Sequence, residues 1–119
     1  MIYIVEDDQS ISNGFMMLLK SAGYECKSFI TAEKFLASYH PTLNDLLILD
    51  IQLTGMNGCQ LLETLAERKL HLPVIVITSI DDPRYRQCSR DYGAIAYLRK
   101  PVDGEALLDI IQYRLVIQH

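Results

Sequence analysis

The chain has 119 residues, half of them apolar and 22% charged, which suits one compact domain over residues 1–119 and a core that needs no metal or disulfide staple. Eleven basic residues against fifteen acidic ones give a formal charge of −4, opposite to the basic footprint of a nucleic-acid-binding module, so no direct nucleic-acid contact is expected. The apolar runs fall far short of the roughly 20 residues that cross a bilayer, and the first residues carry acid where a secretory leader carries base, so a cytoplasmic domain without a membrane partner is expected.

Short, wholly apolar runs alternate with amphipathic segments along the chain. This is the pattern of parallel strands buried on both faces and joined by crossover helices. Ile2–Val5 is the first strand. Ile11, Phe15, Leu18, Leu19 and Ala22 recur at helical spacing, with Ser10 as N-cap and Gly23 as stop. Tyr24–Phe29 is a second, more polar strand, expected at a sheet edge. Thr31 caps a short helix that closes near Tyr39, ahead of Pro41, and Leu46–Leu49 forms a third strand running directly into Asp50. Gly55-Met56-Asn57-Gly58 is turn chemistry and opens a helix to about Arg68, with Leu61, Leu62 and Leu65 facing inward. Pro73 introduces the fourth strand, Val74–Ile77, which ends in Thr78-Ser79. Pro83 suits the first turn of a fourth helix ending before Gly93, and its apolar face is thin. Ile95–Leu98 is the fifth strand, and Asp103 caps a last helix whose buried stripe is Leu107, Leu108, Ile111 and Leu115. Cys26, Cys59 and Cys88 are odd in number and far apart, with no CxxC or Cys/His zinc spacing, and are expected to be reduced thiols.

Strict alternation of five strands with five helices implies an α/β doubly wound parallel sheet, in which functional groups collect at the carboxyl edge. Strand one ends in Glu6-Asp7-Asp8, strand three in Asp50 and strand four in Thr78-Ser79, and strand five leads to Lys100-Pro101. If strands one and three are neighbours, as in the flavodoxin-like order, Glu6, Asp7 and Asp50 converge. Clustered carboxylates repel unless protonated or neutralised, so a divalent cation is the natural occupant, and oxygen-only ligands favour Mg²⁺, with Mn²⁺ as its substitute. Lys100 and the Thr78 hydroxyl then suit the oxygens of a phosphoryl group carried by Asp50.

On the motifs VEDD at 5–8, LLILD at 46–50, GMNG at 55–58, ITS at 77–79 and AYLRKP at 96–101, the chain resembles the receiver domain of two-component response regulators, a CheY-like fold, and most of all receivers of the FixJ type. The resemblance implies a five-stranded sheet of order 2-1-3-4-5 with Asp50 as phosphoacceptor, fed by the phosphohistidine of a sensor histidine kinase or phosphotransfer protein. It implies Mg²⁺ held by Asp7 and Asp50, by the backbone carbonyl of Gln52, and by Glu6 through water. Thr78 and Lys100 would grip the phosphoryl group, and the Lys100-Pro101 bond would be cis. Thr78 and Tyr97 would form a switch that alters the surface of the fourth helix, fifth strand and fifth helix. That surface would meet an output domain, an effector or a second copy, with transcription control as the expected output. Thr54 departs from the family, which usually has proline there.

Three other functions fit less well. An aspartyl-nucleophile phosphohydrolase wants a second aspartate where Gln52 stands. An FMN-binding module needs hydroxyls and glycine where Glu6-Asp7-Asp8 would repel phosphate. A receiver-like docking or dimerisation module that works without phosphorylation has no need of the full set Asp7, Asp50, Thr78 and Lys100.

Overall fold

The computed structural model describes residues 1–117. Its elements run β1 (Ile2–Val5), α1 (Gln9–Ser21), β2 (Cys26–Phe29), α2 (Ala32–Ser38), β3 (Leu46–Asp50), α3 (Gly58–Glu67), β4 (Val74–Thr78), α4 (Pro83–Asp91), β5 (Ala96–Arg99) and α5 (Gly104–Ile117). The strands form one parallel sheet in the order β2-β1-β3-β4-β5, as expected. The polar β2 takes one edge, while β3 and β4 are buried along their whole length.

Side-chain alternation divides the core into two layers. Tyr3, Val5, Leu47, Leu49 and Val76 face a cluster completed by Phe35 of α2 and by Leu61, Leu62 and Leu65 of α3. Ile2, Ile4, Leu46, Ile48, Ile75 and Ile77 face the opposite cluster, with Phe15 and Leu19 of α1 and Leu107 and Ile111 of α5. Runs that read as continuously apolar are therefore buried twice over, each neighbour on a different side of the sheet.

Local signals place most element ends where the sequence indicates. Thr31 caps α2 by accepting from the Lys34 N–H, and Asn57 with Gln60 forms a capping box on α3. Gly23 and Gly93 take φ of 90° and 73° just past α1 and α4, the left-handed stop that favours glycine. The α1 cap differs from expectation. Asp8, not Ser10, closes the helix, because its Oδ1 accepts from the N–H groups of both Ser10 and Ile11 at 2.9 and 3.2 Å. A carboxylate outcompetes a hydroxyl at this positive helix end. Ala22 lies exposed at the C-cap instead of in the apolar stripe.

A second correction concerns the thiols. Cys59 of α3 and Cys88 of α4 are joined as a disulfide, leaving Cys26 as the free cysteine. The 29 residues between them conceal the pairing in the sequence, whereas packing α3 beside α4 brings their Cα atoms to 5.9 Å. Among the described residues no helix is long and apolar enough to cross a membrane. His119 lies outside the described residues.

Candidate functional site

Register sets the site. Val5 pairs with Leu49 and Asp50 with Ile77, so β1, β3 and β4 end side by side. The residues that follow β1 and close β3 project beyond one carboxyl edge. Glu6, Asp7 and Asp50 each bring a carboxylate oxygen within 4.8 Å of the others. Glu6 and Asp50 are buried, whereas Asp7 is exposed to the approach from solvent.

Two buried carboxylates at that separation oppose each other by on the order of 3 kcal/mol at an effective dielectric of about 20. Lys100 offsets this. Its Nζ donates to Glu6 Oε1 at 2.6 Å and to Asp50 Oδ2 at 3.2 Å, carried there from the end of β5. Burial, then hydrogen bonding and charge from Asp50, push Glu6 up to about 7 against the pull of Lys100. Burial alone would lower Lys100, but Glu6 and Asp50 outweigh it and hold the ammonium above its ordinary value. The cluster is thus a strong acceptor of positive charge. Three carboxylates with no sulfur or imidazole among them fit a hard divalent cation such as Mg²⁺.

The remaining expected residues surround this centre without all touching it. Thr78 ends β4 and is buried. Its hydroxyl has one proton for two acceptors, Ile80 O at 2.8 Å and Gln52 Oε1 at 3.2 Å, and it makes no hydrogen bond to Asp50. The Gln52 N–H donates to Asp50 Oδ1 at 2.9 Å, which orients the carboxylate. Tyr97 pairs with Val76, packs half-buried against the first core layer, and encloses a hydroxyl with no hydrogen-bond partner among the described residues. The Lys100-Pro101 bond is cis, as the resemblance implies.

Sequence reasoning missed three contacts here. The Gln52 side chain bridges the β3 and β4 loops, accepting from Ser79 Oγ at 2.7 Å as well as from Thr78. Thr54, where proline is usual, donates to Asp7 Oδ2 at 3.3 Å. Glu33 of α2 accepts from the Met56 N–H at 3.2 Å and pins the turn after Asp50. Each joins a polar side chain to a loop far away in sequence, which apolar periodicity cannot register.

Comparison with known proteins bears on the chain as a whole. The family model described as the response regulator receiver domain matches residues 2–112. Nodulation protein W of Bradyrhizobium diazoefficiens is 33% identical over 110 residues, covering 92% of this chain and 48% of that protein. Transcriptional regulatory protein FixJ of Rhizobium meliloti is 28% identical over 93% of this chain and 54% of its own length. The chain thus spans about half the length of these curated relatives. Among solved structures, a CheY-like response regulator receiver domain protein from Methanospirillum hungatei superposes with a TM-score of 0.89 at 33% identity, covering 98% of this chain and 94% of that one.

Proposed function

This chain belongs to the response regulator receiver domain family, and from that premise we propose that it is a switch which takes a phosphoryl group onto Asp50 from the phosphohistidine of a sensor histidine kinase or phosphotransfer protein. The observation that carries the reading is the convergence of Glu6, Asp7, Asp50 and Lys100 at one sheet edge. In this reading the nucleophile, the cation ligands and an ammonium stand together at that edge, with Asp7 exposed to solvent.

In this reading an Asp50 carboxylate oxygen attacks phosphorus in line, the P–N bond breaks, and the imidazole leaves with the bonding pair. Asp7, Asp50 and the Gln52 backbone carbonyl would hold Mg²⁺ or Mn²⁺, with Glu6 acting through water. When bound, the ion neutralises charge on the phosphoryl oxygens. Lys100 is already within hydrogen-bond range of Asp50 and would transfer one donor to the phosphoryl group. Thr78 would exchange its bonds to Gln52 and Ile80 for another phosphoryl oxygen. Tyr97, whose enclosed hydroxyl has no bond to lose, would turn as that space changes. The domain acts as a regulatory phosphoacceptor and assists its own phosphorylation and dephosphorylation without serving as an enzyme on an outside substrate.

The signal would leave through α4, β5 and α5, where Tyr113 is exposed beside Ile110, Asp109 and Arg114. An output domain, an effector or a second copy would dock there, in the cytoplasm, and the transcriptional role in the name of FixJ makes transcription control the favoured output. Incubation with Mg²⁺ and acetyl phosphate followed by intact mass measurement tests the reading. One labile phosphoryl adduct is expected, absent from Asp50→Asn and retained by Tyr97→Ala. No adduct on the parent protein would favour docking without phosphorylation.

A further inference from the structure

We propose that Cys59 and Cys88 form a reversible thiol–disulfide exchange site that fixes or frees α4, giving the domain a redox input separate from Asp50. Both residues are half-buried, so small thiols and disulfides can reach them. In the cytoplasmic setting proposed above, disulfides are mostly transient or redox-sensing.

The position of the bond gives it leverage. On one side stands α3, which buries Gly58, Leu61, Leu62 and Leu65, and whose first residue donates its N–H to Ile51 O at 3.0 Å. Cys59 therefore sits on a helix fixed to the loop that follows Asp50. On the other side stands α4, in which Ser89 is the one fully buried residue. Tyr85 and Cys88 are its partly buried contacts with the core. The covalent bond ties the least embedded helix to a firmly embedded one. Helix α4 also begins at Pro83, only Asp81 and Asp82 separating it from the Thr78–Ile80 segment, so its freedom bears on any movement of Thr78.

The exchange balances with a low-molecular-weight disulfide as oxidant, for which the glutathione couple serves as probe. One cysteine thiolate attacks the small disulfide, forming a mixed disulfide and expelling one small thiolate. The second cysteine thiolate attacks the protein-bound sulfur, closes Cys59–Cys88 and expels the other. The two cysteines lose two electrons and two protons, and the small disulfide is reduced to two thiols. Reduction runs by the same steps in reverse.

The protein is equilibrated across ratios of reduced to oxidised glutathione, alkylated with iodoacetamide and weighed intact, with hydrogen exchange followed on matched samples. Three alkylated thiols are expected at the reducing end and one, Cys26, at the oxidising end, interconverting reversibly. Amides of α4 should exchange about tenfold faster after reduction, a factor equivalent to about 1.4 kcal/mol, while β3 is unchanged. Cys88→Ser should show the fast exchange at every ratio, and Cys26→Ser should follow the parent. Three reactive thiols at every ratio, glutathione adducts without closure, or equal α4 exchange in both states would overturn the proposal. None of these readouts uses Asp50, so a missing phosphoryl adduct strikes the proposed function and leaves this site standing.

Discussion

Asp45 shows how a buried carboxylate can be held in the ionised state. It is almost fully enclosed and accepts from the Thr42 N–H at 2.8 Å, the Thr42 hydroxyl at 2.6 Å and the Tyr39 hydroxyl at 2.9 Å. Burial pushes Asp45 up, but Thr42, Tyr39 and the N-terminal ammonium outweigh it and hold the group below the usual carboxylate range. A depressed folded value means that its contribution is complete above the unfolded value of about 3.9 and is lost as pH falls through the folded one. Asp45→Asn should therefore cost about 1.5–3 kcal/mol in urea unfolding at neutral pH, with the difference from the parent closing in acid. At the site, Gln52→Leu keeps the backbone carbonyl and removes the acceptor that engages Thr78 and Ser79. With a competing bond worth about 0.5–1.5 kcal/mol gone, beryllofluoride titration should show roughly two- to tenfold tighter uptake of this phosphoryl mimic. Asp50, Asp7, Glu6 and Lys100 were legible in the sequence because each closes or follows an apolar run. The bridges made by Gln52 and Thr54 were not, since their partners depend on loop shape.

Helices and strands were legible where apolar runs and stop signals agreed, and less so where polar groups competed for one end. Asp8 displaced Ser10 at the start of α1 for that reason. The α3 start is fixed by close backbone approach: a Cβ on Gly58 would lie 2.5 Å from Ile51 Cα. Gly58→Ala must separate α3 from the Asp50 loop and should cost about 1–3 kcal/mol in chemical denaturation. Gly14 is the internal control. It lies exposed within α1, and a methyl group added there would meet nothing within 4 Å, so Gly14→Ala in the same assay should stabilise by roughly 0.8–1 kcal/mol.

For the molecule as a whole, an ion that binds the folded site alone must stabilise the fold. At a hundredfold excess over the dissociation constant this amounts to about 2.7 kcal/mol. Mg²⁺ should therefore raise the thermal midpoint by several degrees, a chelator should reverse the effect, and Asp7→Asn should abolish it with its folding intact, because Asp7 is exposed. Strand order is the part of the architecture that alternation alone left open. The family motifs supplied it, and the shared carboxyl edge follows from it.

The Lys100 ammonium that pairs with two carboxylates of the cluster comes from 94 residues beyond Glu6 and 50 beyond Asp50. A chain made from its N-terminus carries Asp50 long before it carries the ammonium that pairs with it. Copies that stop before Lys100 lack the ammonium that reaches Glu6 and Asp50. The pairing of Glu6 and Asp50 with their ammonium thus waits for the strand that closes the sheet.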